Sequence, residues 1–116
     1  MDLAEAQRFA QAWEAGWNSH DLDRILKHYA HDVEFRSPLA AQIIDGSGGV
    51  IRGIDALRSY WAEGLRRNPD LRFEISDVYA GVDTVVITYR HQTGRQCAEV
   101  LTFHDDLVVS GMGTYG

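Results

Sequence analysis

The chain has 116 residues, the length of one domain, so residues 1–116 are expected to fold as a single unit and any site must come from that fold or from copies of it. Hydrophobic residues at 45% and charged residues at 24% are ordinary globular usage, which excludes a disordered chain and supplies a core without disulfide staples. A net charge of −6 with no basic stripe argues against nucleic acid and against an anionic membrane as partners.

No apolar run approaches the roughly 20 residues of a membrane span. A single cysteine, Cys97, and an N-terminus without a signal-peptide pattern point to a cytoplasmic protein. Leu3, Ala6, Ala10, Trp13 and Trp17 recur at spacings of three and four, with Asp2, Glu5, Arg8, Gln11 and Glu14 between them; this is an amphipathic helix. Asn18–Asp21 breaks it with good N-cap residues. Leu22, Ile25, Leu26 and Tyr29 then repeat as a second, shorter helix. Val33–Ser37 alternates with period two and stops at Pro38, as a strand would.

Residues 39–53 carry Asp45-Gly46-Ser47-Gly48-Gly49 between two apolar pairs, which predicts a hairpin or a mobile flap. From Asp55 a third helix places Leu57, Tyr60, Trp61 and Leu65 on one stripe and ends at Asn68-Pro69. Segments 71–79, 84–92, 96–104 and 107–115 are rich in β-branched and aromatic residues and are joined by short turns, which forces an antiparallel meander. Helices first and strands afterwards is the α+β arrangement, with helices on one face of a curved sheet. Several strands are apolar on both parities, so the face without helices is expected to be buried in a homodimer.

Glu99 is the candidate with the most chemistry. It alternates with Cys97, Leu101 and Phe103; if these face inward, a carboxyl group enters an apolar interior, where burial keeps it protonated. If Val100, Thr102 and His104 face inward instead, Glu99 is solvated or lies at the subunit face. His91 shares the parity of Ile87 and Tyr89, which makes it either a base reaching the interior or half of a cross-strand polar pair. The five histidines form no metal-ligand spacing, so no metal is expected. The glycine run at 46–49 lacks the lysine and the strand-to-helix junction of a phosphate loop, and no motif calls for a cofactor. Trp13, Trp17, Tyr60 and Trp61 are core residues first, yet would line a flat ligand slot if the interior is not filled. Gly111 and Gly113, on one face of the last strand, leave either a bulge or a cavity.

Three stretches carry a family resemblance: Trp17-Asn18-Ser19-His20-Asp21-Leu22-Asp23, Tyr29-Ala30-His31-Asp32-Val33-Glu34-Phe35 through Pro38, and Ile51-Arg52-Gly53-Ile54-Asp55-Ala56-Leu57-Arg58-Ser59-Tyr60. Together with the closing Phe103-His104-Asp105-Asp106-Leu107-Val108-Val109, their order resembles the nuclear transport factor 2-like superfamily, in its SnoaL-like and ketosteroid isomerase-like branch. The resemblance implies a cone: three N-terminal helices packed on the concave face of a strongly curved antiparallel sheet, with an apolar pocket between them and a homodimer through the outer sheet face.

In the isomerases of that branch, a carboxylate base precedes the proline after the first strand. A tyrosine and a protonated aspartate stabilise the enolate opposite it. Carried over, the base position is Ser37, too weakly basic to act unaided; the tyrosine position is Trp13; the aspartate position is Glu99. Tyr29, Phe35, Trp61, Leu101, Phe103, Gly111, Gly113 and Tyr115 are then expected around the pocket with Trp17. The implied function is binding of an apolar small molecule, with isomerase or cyclase chemistry on an apolar or aromatic carbonyl compound. Glu99 would be the acid, Trp13 a donor and wall, and Ser37 or a water beside His91 the proton relay. Steroid isomerisation itself is not expected with serine at the base position. A non-catalytic ligand-binding or dimerisation module of the same fold is the alternative.

Overall fold

The computed structural model describes residues 1–116. Helix α1 (Leu3–Ser19) starts at Asp2, whose carboxylate accepts from the Glu5 N–H at 2.8 Å while Glu5 accepts from the Asp2 N–H at 3.4 Å. This reciprocal cap satisfies backbone donors that the first turn leaves free. Ala6, Ala10, Trp13, Gly16 and Trp17 form its buried stripe, as the spacing predicts, whereas Leu3 lies half in solvent. Asp21 caps the short α2 (Leu22–Leu26) by accepting from Asp23 and Arg24. The predicted second helix stops before Tyr29, the first residue of strand β1 (Tyr29–Arg36).

Residues 39–53 are neither a hairpin nor a loose flap. Ser37 accepts from the Leu39 N–H at 3.1 Å and caps α3 (Pro38–Ile43), with Pro38 in the first turn, where the missing N–H of proline costs nothing. The following turn is tied back by the Ser37 N–H to the Gly49 carbonyl at 2.9 Å and by Ser47 Oγ to the Ala40 carbonyl at 3.0 Å. It leads into β2 (Val50–Arg52), which pairs antiparallel with β1. Helix α4 (Ile54–Arg67) buries Leu57, Tyr60 and Trp61 and ends at Asn68. There are thus four helices rather than three.

The meander follows as β3 (Glu74–Ala80), β4 (Thr84–Arg90), β5 (Gln96–His104) and β6 (Leu107–Tyr115). The sheet order is β2-β1-β6-β5-β4-β3, antiparallel except where β1 runs parallel to β6. Register shifts at Ile75/Asp77, Thr102/Phe103 and Tyr29/Glu34 interrupt the ladders, and such bulges bend strands and increase their twist. Helix α1 is fastened to the β3 end of the sheet. Asn18 bonds both backbone groups of Phe73, at 2.9 and 2.7 Å, and Glu14 accepts from the Ile75 N–H at 2.8 Å. These side chains occupy backbone groups that an edge strand would leave unpaired.

Burial settles which parity faces the helices. Val85, Ile87 and Tyr89 on β4, and Cys97, Glu99, Leu101 and Phe103 on β5, are all buried, while their neighbours are half-buried or exposed. Glu99 therefore points inward, paired across the sheet with Ile87 on one side and Gly113 on the other. On the outer face, the register aligns Tyr79, Val86, Val100 and Met112 in one row across four strands, flanked by Thr88, Ala98 and Thr114.

Candidate functional site

Ser37 and Glu99 are the polar or charged residues buried in the core, 4% and 7% exposed. They approach each other over the bare backbone of Gly113. A Cβ placed there would stand 3.1 Å from Tyr115 Oη, 3.4 Å from Ser37 Oγ and 3.6 Å from Glu99 Oε1. The missing side chain is what lets three polar groups from β1–α3, β5 and β6 converge. Gly111, one inward position earlier, does the opposite of leaving a cavity: Phe35 and Leu101 fill its space, at 2.8 and 3.0 Å from where its Cβ would be. Of the bulge or cavity expected of the two glycines, Gly111 gives no cavity, because the larger neighbours pack directly onto the strand.

The hydrogen bonds run in one direction. Tyr60 donates to Ser37 Oγ at 3.3 Å, and the Leu39 N–H donates to the same oxygen. With two donors accepted, the Ser37 proton is directed to Tyr115 Oη, 3.4 Å away, and the Tyr115 proton is left for the interior. Tyr89 donates to Glu99 Oε1 at 3.3 Å, the one hydrogen bond that the Glu99 side chain makes within the protein. Ser37 is thus a cap and a relay between hydroxyls, with its lone pairs occupied.

Burial dominates the electrostatics. It pushes the Glu99 carboxyl up from 4.5 to about 8, partly opposed by the Tyr89 hydroxyl that bonds it; at neutral pH the group is mostly the neutral acid. Burial also raises Tyr29, Tyr60, Tyr89 and Tyr115, with the Glu99 carboxylate adding to each. The tyrosines therefore remain protonated donors.

A cavity of about 100 Å³ opens beside this cluster. Trp17, Phe35, Trp61 and Phe73 form aromatic walls, Leu39 and Ile43 of α3 cover one side, and Tyr60, Tyr89, Tyr115 and Glu99 present oxygens; Leu71, Gly64 and Asn68 complete it. Glu99 is its one acid, and no arginine, lysine or histidine lines it. A second hollow of about 150 Å³ adjoins it, sharing Leu39, Asn68, Leu71, Phe73, Tyr89 and Tyr115 and adding His91, Gln92, Thr93 and Cys97. No group of three His, Cys, Asp or Glu side chains is placed to hold a metal ion.

Of the residues singled out from the sequence, Glu99, Trp17, Phe35, Trp61 and Tyr115 line the cavity, with Ser37 and Gly113 beneath its polar end. Several others stand elsewhere. Trp13 is sealed into the core, its ring stacked on Phe73 at 5.5 Å and edge-on to Tyr89 at 5.0 Å. It does not line the cavity, and its N–H, like the Tyr29 hydroxyl, is buried without a partner at hydrogen-bond distance. Tyr29 meets Trp61 edge-on behind the cavity at 5.0 Å. Leu101 fills the core beside Gly111, and Phe103 packs against Phe9 at 4.9 Å near the opposite end of its strand.

His91 lines the second hollow, not the cavity that holds Glu99. Its Nδ1 accepts from the Thr93 N–H at 3.1 Å and lies 2.7 Å from Thr93 Oγ1. Burial and then the Arg95 charge lower its pKa.

Tyr89 and Tyr60 were not singled out as donors from the sequence, nor Leu39 and Ile43 as walls. The parity of Tyr89 with Ile87 and the i, i+4 spacing of Leu39 and Ile43 after Ser37-Pro38 were the available signals.

No protein of curated function matches the chain. Among solved structures, a SnoaL-like protein of unknown function from Burkholderia thailandensis is 44% identical, with a TM-score of 0.93 over 100% of this chain and 98% of that one. AclR from Streptomyces galilaeus shares the fold at 24% identity and a TM-score of 0.76, over 99% of this chain and 91% of its own. TerC, co-crystallised with polyporic acid, does so at 18% and 0.79, over 96% and 91%. The family model for the SnoaL-like domain matches residues 9–111, so the chain belongs to the SnoaL-like domain family, whose cone of helices and curved sheet is the fold described above.

Proposed function

We propose that the protein binds a small apolar or aromatic carbonyl compound in this cavity and polarises its oxygen by acid hydrogen bonding, chemistry suited to an isomerase or cyclase. The observation that carries this reading is the buried Glu99 carboxyl with no hydrogen bond at Oε2, set over Gly113 beside the Tyr115 hydroxyl whose proton is left for the interior. Two donors aimed at one oxygen stabilise the charge that develops there as a carbonyl becomes an enol or enolate, the α-proton passing to a water in the adjoining hollow that His91 lines. The cavity of about 100 Å³ and the adjoining hollow of about 150 Å³ together support a ligand with a single ring, since an apolar hole on the order of 150 Å³ holds benzene. TerC, a relative by fold, was crystallised with polyporic acid, in line with an oxygen-bearing ring as ligand.

A second reading, a non-catalytic ligand carrier, is favoured by one observation: the hydroxyl of Ser37 is committed as acceptor to Leu39 and Tyr60, and no other base lines the inner cavity. Both readings are separated by soaking the protein with 4′-propylacetophenone in D2O and following the acetyl protons by NMR. Chemistry predicts saturable exchange that Glu99→Gln, with a weaker amide donor in place of the acid, slows sharply while the ketone still binds. Binding without accelerated exchange assigns the carrier role, and no binding removes both.

The same reading makes the outer sheet face a contact between two copies. Tyr79 and Met112 in its apolar row are 59% and 43% exposed, and large contiguous apolar surface is unusual on a monomer. Sedimentation at micromolar concentration is expected to give a dimer, and Val100→Lys a monomer that still folds; a monomeric wild type refutes the contact.

A further inference from the structure

Beyond the two adjoining hollows lies a third depression, and it is of different chemistry. It is lined by Arg72, Glu74, Arg90, His91, Gln92 and Gly94, with no hydrophobic residue. His91 and Gln92 belong to it and to the middle hollow, as Tyr89 belongs to the middle hollow and the inner cavity. The three hollows therefore follow one another along shared lining residues, from Glu99, past Tyr89 and the His91–Gln92 pair, to two arginines.

Those arginines are available. Arg66 and Arg67 are occupied by Glu63, and Arg95 donates to the Gly116 carbonyl at 3.1 Å. The guanidinium groups of Arg72 and Arg90 make neither an ion pair nor a hydrogen bond within the protein. Glu74 is the depression's one carboxylate; it is the register partner of Arg90, yet the two do not approach within ion-pair distance. Two free cations against one carboxylate leave a positive mouth on a chain whose net charge is −6, and a local field of that sign draws anions. The interior, by contrast, has no cation with which to pair an anion; an anionic group placed there would be desolvated without compensation.

We propose that the ligand is two-ended: an apolar ring whose carbonyl oxygen meets Glu99 and Tyr115, with a carboxylate tail that passes His91 and docks on Arg72 and Arg90. This rests on the cavity reading above and adds the substrate class, an aryl or alicyclic keto acid. The reach is set by the strand. Tyr89 and His91 are two residues apart on β4 and just beyond it, about 7 Å along an extended chain, so ring plus tail must span on the order of 10 Å.

The test compares 4′-propylacetophenone with 3-(4-acetylphenyl)propanoate, which carries a carboxylate at the end of a chain of similar length, by calorimetric titration at low salt. The acid is expected to bind about tenfold more tightly, two exposed arginines supplying that much between them. High salt is expected to erase most of the difference. In an Arg72→Gln/Arg90→Gln double variant the acid falls to the affinity of the neutral ketone, whose own binding is unchanged. Equal affinities in the wild type, or an advantage that survives the double variant, overturn the two-ended ligand and leave the cavity reading standing. Failure of both compounds to bind overturns the cavity reading and the two-ended ligand with it.

Discussion

Replacing Glu99 by glutamine keeps the size of the side chain and its capacity to donate and accept, but removes the ability to ionise. The wild-type carboxyl holds its proton in the fold up to about 8, whereas an unburied glutamate loses it near 4.5. Between those values the unfolded chain sheds a proton that the folded chain keeps, so stability is fully present below the lower value and is lost as pH rises through the upper one. At about 1.4 kcal/mol per pH unit across that window, the loss is about 5 kcal/mol, a large share of the roughly 5–15 kcal/mol that holds an ordinary domain together. Glutamine does not incur it.

Urea unfolding of both proteins at a series of pH values from 4.5 to 9 isolates the effect, because every other titrating group contributes nearly equally to the two. The stability difference is expected to be small at pH 4.5 and to move in favour of Glu99→Gln as pH rises, levelling off above pH 8. Parallel pH profiles, or a wild type that gains on the variant with rising pH, would refute the claim that burial governs this carboxyl.

Three further substitutions probe the cluster around it. Gly111→Ala drives a methyl into Phe35 and Leu101 at 2.8 and 3.0 Å and is expected to cost about 2 kcal/mol, read as a lower urea midpoint, with a weaker ketone affinity as well because Phe35 is also a cavity wall. Gly113→Ala adds a methyl within 3.1 Å of Tyr115 Oη and 3.4 Å of Ser37 Oγ; at least tenfold loss of 4′-propylacetophenone affinity in calorimetry, in a protein that remains folded, is the expected result. Ser37→Ala removes the α3 cap and the acceptor of Tyr60 and is expected to destabilise by about 2 kcal/mol, about half from the cap and the rest from the stranded hydroxyl. Unchanged stability would mean that water replaces Ser37 without cost.

Helices α1, α2 and α4 were legible because each turns one apolar side to the core, and such a side is a periodicity. Tyr29 misled for the same reason. It continues the spacing of Leu22, Ile25 and Leu26, yet it is buried from the first position of β1, since a side chain can reach the same core from either kind of backbone. Residues 39–43 read as the start of a loop because Pro38 terminates a strand; proline equally opens a helix, and Ser37 before it is the cap that decides between the two.

The parity of β5 could not be read from its own residues. Cys97, Leu101 and Phe103 compete with Val100 and Thr102, and only the helices packed on one face break the tie. Glu99 was nevertheless identifiable as the one acid in an apolar alternation. The hydroxyl relay was not, because Tyr60, Ser37 and Tyr115 come from three separated segments and are neighbours only after the sheet has curved. Gly111 and Gly113 look alike in sequence, two positions apart on one face; what differs is the size of the neighbours that close on each.

The carboxyl carbon of Glu99 offers the most direct test of the central claim, that an uncharged acid stands in this cavity at neutral pH. Its ¹³C chemical shift, assigned by comparison with Glu99→Gln and followed across pH, is expected to show a midpoint near 8 and the protonated value at pH 6.5. A midpoint near 4.5 would place an ionised carboxylate there instead, and the donor role proposed for it would be withdrawn.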